Sequence, residues 1–408
     1  MLSFEAARAK VIEVVGAQPR IVPTEIADMA ADPAQALGRV LAEDVVADRD
    51  YPPFHRSTRD GYALRAADVT TSGATLRLMG ESRAGVAFTG SVGPGECVRI
   101  LTGAPLPEGA DAVVMQEYAR VEGEFVMFER GAAAGQNFVV AGTEGRVGET
   151  VVARGSRMGY AELALASQVG RTKLRVNRRP RVAILSTGDE IVAVDAAPGP
   201  FQIRNSNSVS LAAQVTLAGG EPIALGNAAD EVGAIRARIE EGLESDILIL
   251  SGGVSVGTYD LVEGVLQELG AEFFFDSVAI RPGKPAVFAR CREKPVFGLP
   301  GNPVSTMVTF ELFVMPAIEM LSGAQPQPLP LFKARLAKPV QEKPPLAHFL
   351  PAHLRLGEGD PTVEIISWQG SGDIGAVARG NCFLVVHGER QNLESGEWVD
   401  VLPRRGMF

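Results

Sequence analysis

Cysteine and histidine are scarce: three cysteines and four histidines in 408 residues. Cys97, Cys291 and Cys382 lie far apart, each in an apolar, strand-like context, and their number is odd. That excludes a disulfide framework, and buried free thiols are expected instead. No Cys/His spacing fits a zinc site. Positive charge is also in short supply, since the formal net charge is −10. Coating nucleic acid takes clustered cations that neutralise phosphates, so that function class is excluded, whereas a small anionic ligand in a locally basic pocket is not. No signal peptide is evident, with Glu5 among the first residues, and no stretch approaches the roughly 18 apolar residues of a membrane span. A reducing cytoplasm is the expected location. Neither an internal repeat nor a low-complexity tract is present.

The chain is too long for one ordinary core, and two to four domains are expected. Residues 3–15 place Phe4, Ala7, Val11, Ile12 and Val15 on one helical face, with Ser3 available as a cap. From about residue 52 the texture changes. Short alternating runs, Thr75–Met79 and Cys97–Leu101, are separated by Gly and Pro and read as a small β-rich domain. Helical periodicity returns at Tyr160–Ser167. The β-rich stretch 51–145 is therefore an insertion into a discontinuous helical or linker domain, 1–50 with 146–178.

Residues 179–325 alternate strands and helices. Val182–Leu185 is a buried strand run, helices are expected over Ser208–Leu217 and near Glu231–Leu243, and Asp246–Leu250 is a second apolar strand. This predicts a doubly wound α/β domain, a parallel sheet with helices on both faces, whose ligands gather beyond the carboxyl ends of the strands. The Pro-rich segment Gln325–Pro330 reads as a linker. Beyond it, the short runs Phe332–Leu336, Val363–Ile366, Phe383–Val386 and Trp398–Leu402 predict a compact C-terminal β-barrel or sandwich over 326–408. The fold class is thus α/β and multidomain.

Several turns carry chemistry. Asp60 sits in Pro53–Ala63, where Asp60-Gly61 is a turn signal and a solvated turn carboxylate is the bland reading. The other reading is a carboxylate held to orient a metal ion or an oxyanion's water shell. Thr102-Gly103 allows close backbone approach to a ligand, with the Thr102 hydroxyl as an added donor. Ser186-Thr-Gly-Asp-Glu190 ends a buried strand with two adjacent carboxylates, which are costly unless they face a cation or water. Ser186 and Thr187 are binding candidates and Glu190 a Mg²⁺ candidate, while Asp189 could simply cap the next segment. Ser251-Gly-Gly-Val-Ser-Val-Gly257 offers backbone N–H groups and a helix dipole to an anion through Gly252, Gly253, Ser255 and Gly257. Asp260 lies near the same mouth. Arg281 and Lys284, in Arg281-Pro-Gly-Lys-Pro285, supply positive charge. Pro300, Gly301 and Asn302 precede a helix through Thr306–Phe313. Walker, nucleophile-elbow and Ser/His/Asp patterns are missing. Cations and carboxylates together suit a phosphate-bearing substrate with a divalent metal.

These segments, with Asn205-Ser-Asn207 and Leu299-Pro-Gly-Asn-Pro-Val-Ser305, resemble the molybdopterin molybdenumtransferases, the family that includes bacterial MoeA and the C-terminal domain of gephyrin. They occur in the family's order over nearly the whole chain. The resemblance implies a homodimer of four-domain subunits, with adenylyl-molybdopterin and molybdate as substrates, Mg²⁺ as cofactor, and AMP and molybdenum cofactor as products. It further implies that Asp60 and Thr102 reach a partner subunit's site. Glu190, Asp246 and Asp260 would hold the metal, and Lys284 and Arg281 the phosphate or molybdate. Ser371, within the retained Gly370-Ser-Gly372, joins the binding set. Transient contact with a pterin adenylyltransferase or with apo-molybdoenzymes is a further implication; nucleic acid and membrane are not.

The chain departs from the family pattern where Phe138–Glu144 lacks the usual basic run. Arg59 stands in place of Met, and Pro344, Pro345, Pro351 and His348 stand where basic residues are usual. A tungstate-preferring variant, a degenerate cofactor-binding or scaffold paralogue and a pterin adenylyltransferase therefore remain alternatives on sequence.

Overall fold

The computed structural model describes residues 1–17, 22–252, 261–343, 345–390 and 392–407. The chain divides into two compact units. One comprises Glu43–Arg154 and Gly159–Lys173, and the other Met1–Ala42, Gly155–Met158 and Leu174–Phe408.

The unit containing the expected insertion is a curled sheet of six strands. These are β1 (Gly61–Leu64), β2 (Ala74–Ser82), β3 (Glu96–Ile100), β4 (Ala112–Met115), β5 (Ala119–Glu122) and β6 (Phe125–Phe128), in the order β4-β1-β3-β2-β6-β5. All pairings are antiparallel except β2 with β3. Tyr62, Leu64, Leu76, Cys97, Val114, Val126 and Phe128 form its main core. The alternation in Ala74–Ser82 reflects a strand with one face buried, whereas Glu96–Ile100 buries Cys97 on one face and Val98 and Ile100 on the other.

The other unit begins with helix α1 (Phe4–Ala17), which Ser3 caps by accepting the Ala6 amide at 3.2 Å. Its apolar stripe, Phe4, Ala7, Val11 and Val15, is buried as the periodicity requires, and Arg8 is buried with it. Next come β7 (Arg181–Thr187), α2 (Ser206–Leu217), β8 (Glu221–Ala228), α3 (Val232–Gly242), β9 (Ile247–Ser251), α4 (Leu261–Glu268), β10 (Glu272–Phe275), β11 (Val287–Cys291) and β12 (Lys294–Leu299). The sheet order is β8-β7-β9-β12-β11-β10. The first four strands run parallel and the last two add antiparallel pairs at one edge. Val182, Ile184, Ile247 and Ile249 face one apolar layer, while Ala183, Leu185, Leu248 and Leu250 face the other. This is the doubly wound arrangement expected of short, uninterrupted apolar strands.

After β12 the chain enters α5 (Pro303–Thr309), a π-helical turn (Phe310–Val314) and α6 (Met315–Leu321). Pro303 suits the first helical position, where a missing N–H costs nothing. By length and mean hydropathy this run could cross a membrane, contrary to the sequence expectation that no stretch approaches a span; Glu311 and Glu319 interrupt it, and 83% of its most apolar window is buried inside the protein. It is a core helix, and α1 packs against α6.

The π-helical turn holds a buried polar cluster. Gln214 Nε2 donates to Glu311 Oε1 at 3.0 Å, Arg405 Nε lies 3.5 Å from Glu311 Oε2, and Arg405 Nη2 donates to Glu319 at 3.2 Å. Burial pushes the Glu311 carboxyl above the usual carboxylate range despite the Gln214 hydrogen bond and nearby Arg405. The folded chain therefore holds this proton more tightly than the unfolded chain. That contribution is complete below the unfolded value and is lost as pH rises through the raised one. Glu311→Gln, neutral at every pH, is expected to unfold a few degrees above the parent at alkaline pH and with no such advantage at pH 4–5. A difference in melting temperature that stays flat across this range would refute the assignment.

The C-terminal strands are β13 (Phe332–Leu336), β14 (Ala347–Arg355), β15 (Thr362–Ile365), β16 (Cys382–Val386) and β17 (Trp398–Pro403). They close in the order β14-β15-β13-β17-β16 and back to β14, a five-stranded barrel. Leu350, Ala352, Leu384, Val399 and Val401 fill the barrel, while Phe349, Phe383, Val385 and Leu402 point outward into the core shared with α1, α5 and α6. The long strand β14 was not among the expected runs. Pro351 interrupts its pattern, yet Pro351 pairs with Phe383 and its carbonyl accepts the Ile366 amide at 2.9 Å. His348, in the same strand, is 2% exposed and held by Glu342 at 3.0 Å and the Lys343 carbonyl at 3.1 Å. All three cysteines are buried and free, as expected, and burial pushes the Cys97 and Cys382 thiols up to about 12.

Candidate active site

Three strands deliver polar turns to one place. β7 ends in Ser186 and Thr187 and runs on to Glu190, β9 ends in Ser251 and runs on to Gly252, and β12 leads into Pro300, Gly301 and Asn302. Together with Ile191, Arg204, Asn205, Asn207, Gly372 and Ile374, they line an open cavity of about 600 Å³. That volume suits a sizeable small molecule, and the position beyond the carboxyl ends of a parallel sheet is where such folds bind ligands.

Close backbone packing shapes the floor. Gly252 has φ +92°, and a Cβ there would lie 2.8 Å from the Thr187 carbonyl oxygen; one on Gly301 would lie 3.6 Å from Gly252 Cα. Only glycine at 252 allows both the turn and the approach. Thr306 Oγ1 donates to the Pro300 carbonyl at 2.5 Å, which ties that turn to α5. The Val304 amide donates to the Ser371 carbonyl at 2.9 Å, bringing the 370–374 turn against the start of α5. Ser371 thus contributes its backbone to the helix end, while its neighbour Gly372 lines the cavity. Thr187 Oγ1 and Asn207 Oδ1 are buried without a partner. Such atoms are rare in proteins and cost free energy until something satisfies them.

Glu190 is exposed at the cavity wall, its carboxylate lying over Gly188, which has φ +131°. Asp189 Oδ1 accepts the Asp230 amide, ahead of α3, at 3.2 Å, a bond to a distant turn rather than a cap on the next segment. Arg204 is a lining cation whose Nε donates to the Ala196 carbonyl at 3.1 Å. Arg281 and Lys284 are exposed on the segment that leads to Pro285; Pro285 lines the cavity and the two cations do not.

Asp246 is a correction. It stands just before β9, at the amino end of the sheet, opposite the cavity. Arg178 holds it with two bonds of 2.7 and 2.9 Å, and the Arg181 amide donates to it at 2.7 Å. Both oxygens are committed to this pairing, so Asp246 anchors two strand starts rather than a metal. Gly253, Ser255, Gly257 and Asp260 lie outside the described residues. Sequence reasoning left Arg204, Asn205 and Asn207 off the site. Their signal was an asparagine cap opening an amphipathic helix just after a short strand.

In the other unit, Asp60 precedes β1 and Thr102 follows its neighbour β3. The two candidates meet there: Asp60 Oδ1 accepts the Thr102 amide at 2.7 Å and the Thr102 hydroxyl at 2.8 Å. The amide bond first, then the hydroxyl bond, hold the Asp60 carboxyl below the usual carboxylate range. Gly61 is not a turn glycine. It lies in β1, and a Cβ on it would fall 2.0 Å from the Val114 carbonyl oxygen.

Three family regions cover most of the chain. Residues 2–170 match the MoeA N-terminal region (domain I and II), residues 183–320 a probable molybdopterin binding domain, and residues 333–403 the MoeA C-terminal region (domain IV). A molybdopterin molybdenumtransferase of Bacillus subtilis is 35% identical over 90% of this chain and 87% of its own length. One from Haemophilus influenzae is 34% identical over 99% and 98%. The chain belongs to the molybdopterin molybdenumtransferase family. A crystal structure of a molybdopterin biosynthesis MoeA protein from Pyrococcus horikoshii has 28% identity and a TM-score of 0.81, covering 99% of this chain and 100% of that one. Membership makes the chain a transferase of molybdenum cofactor biosynthesis. Every lining residue named above from 186 to 302, Pro285 included, lies in the segment matched as the probable molybdopterin binding domain, and Asp60 and Thr102 lie in the N-terminal region.

Among the described residues no group of three or more His, Cys, Asp or Glu side chains is placed to hold a metal ion. Mg²⁺ needs no such cage, since it binds through one or two carboxylates with waters and substrate phosphates. Glu190 fits that donor set.

Proposed function

We propose that the protein inserts molybdate into adenylyl-molybdopterin and releases AMP, the last step of molybdenum cofactor synthesis. The observation that carries this reading is the polar cavity at the carboxyl ends of β7, β9 and β12, lined mainly from the segment matched as a molybdopterin binding domain. In the balanced reaction, one molybdate oxygen leaves as water with the protons of the two pterin thiols, whose sulfurs bind the molybdenum, and a second water cleaves the phosphoanhydride to free AMP. Glu190 positions that water or holds Mg²⁺. Bound Mg²⁺ would neutralise charge on the anhydride. Arg281 and Lys284 draw the phosphate or molybdate electrostatically. Gly252 lets the backbone approach the pterin phosphate, and Thr187 satisfies a substrate polar group. Asp60, kept ionised by Thr102, would serve the partner subunit's site as a further fixed carboxylate. The acting species is a homodimer in a reducing cytoplasm.

The decisive experiment supplies purified protein with adenylyl-molybdopterin, Mg²⁺ and molybdate, and follows AMP release with activation of an apo-molybdoenzyme. Both signals together are expected; tungstate in place of molybdate then fixes metal preference. Tight pterin binding without AMP release would overturn the transferase assignment in favour of a carrier. Light scattering checks the dimer.

A further inference from the structure

Two asparagines two residues apart connect all three strand ends beneath the cavity. Asn205 caps α2, accepting the Ser208 amide on Oδ1 at 3.0 Å, and its Nδ2 donates to Ser186 Oγ, at the end of β7, at 2.9 Å. Asn207, in the first turn of α2, donates through Nδ2 to Ser251 Oγ, at the end of β9, at 2.9 Å. The same Nδ2 donates to the Gly301 carbonyl, beyond β12, at 2.7 Å. A carbonyl can only accept, so the Gly301 bond fixes which end of the Asn207 amide is nitrogen.

We propose that Asn207 is a positioning residue for the pterin substrate: its amide sets the spacing between the Ser251-Gly252 turn and the Pro300-Gly301 turn. This inference rests on the molybdopterin-binding reading of the cavity. The two turns come from neighbouring strands whose ladder ends at Ser251–Leu299, with Gly252 N donating to the Leu299 carbonyl at 3.2 Å. Beyond that point the Asn207 amide spans them. No other side chain of similar size places two N–H donors on one atom while also presenting an acceptor.

A plain helix-end role makes the opposite forecast for one substitution. Aspartate is a good residue in the first turn of a helix, where its charge complements the dipole. If Asn207 merely supports α2, Asn207→Asp should behave like the parent. If the two donors matter, Asp is the worst choice, because it sets a carboxylate against the Gly301 carbonyl. Asn207→Ser keeps one donor and should fall between.

The test measures molybdopterin binding by calorimetry with the full chain and Asn207→Ser, →Ala and →Asp, alongside thermal midpoints. The expected order of affinity is Asn, then Ser, then Ala, then Asp, with Ala and Asp weaker than the parent by at least ~10-fold, one lost net hydrogen bond or more. In turnover, KM should rise further than kcat falls. Asp binding like the parent, Ala within about 3-fold of it, or affinities that follow the thermal midpoints instead of donor number would each overturn the proposal. A parent that binds molybdopterin but releases no AMP defeats the transferase reading alone, and the affinity order still decides this one. A parent that binds no molybdopterin defeats both.

Discussion

Glu190→Gln is expected to lower AMP release by about three orders of magnitude and leave the chain folded. Among the described residues lining the cavity, Glu190 is the single carboxylate. The substitution keeps size and shape and removes only the charge and the basic lone pairs. At an exposed position such a change shifts stability by no more than about 0.5 kcal/mol. The loss should therefore appear in kcat, at an unchanged melting temperature. Turnover within tenfold of the parent would take Glu190 out of the machinery and leave the water-positioning role to a residue outside the described set, with Asp260 first in line.

The second large effect is on stability and comes from one added methyl group. Gly61→Ala should cost about 3 kcal/mol or more, beyond the usual range for small overpacking. The new carbon would sit 2.0 Å from the Val114 carbonyl oxygen and 2.9 Å from its carbon, both backbone atoms. Rotamer changes cannot relieve that contact; β1 and β4 must separate. β1 lies between β3 and β4, so the shift also reaches the Asp60–Thr102 bonds next door. A displacement of about 1 Å in a catalytic group commonly costs around 100-fold in rate. Urea unfolding and turnover measured on the same preparation check both effects. Gly233→Ala, in helix α3 with nothing within 4 Å of the new carbon, serves as the control and should be neutral or slightly stabilising. A Gly61→Ala protein as stable as that control would show that the sheet yields more easily than its hydrogen-bond register indicates.

Gly61 also marks where sequence reasoning reached its limit. Asp60-Gly61 reads as a turn because Gly commonly relieves backbone strain, and nothing local distinguishes that from a glycine demanded by a carbonyl more than fifty residues away. Periodicity did well where one element decides its own burial: the α1 stripe and the apolar strands β7 and β9 were legible. It did poorly where burial is shared. Strand β14 hides behind Pro351 and buried His348, because its partners β15 and β16 make a long strand tolerable where its own residues argue against one. Asp246 entered the metal set through the family resemblance alone, although its place ahead of the strand already puts it at the amino end, where Arg178 holds it. The polar turns at the carboxyl ends were found because strand direction alone places them. The asparagines that tie them together were missed as site residues, since the helix expected over Ser208–Leu217 begins after them.

The helix running from Pro303 to Leu321 sets the timetable by which this unit can be made. Its apolar faces close against α1, made some three hundred residues earlier, and against Phe349, Phe383, Val385 and Leu402 of the barrel, made later. At roughly 5–20 residues per second, the ribosome needs several seconds to pass from Leu321 to Leu402. Throughout that interval this apolar helix has no complete home, and α1 waits longer still for α6. Contacts so distant in sequence fold slowly. The same burial that stabilises the finished unit thus makes its half-made form a natural client for chaperones.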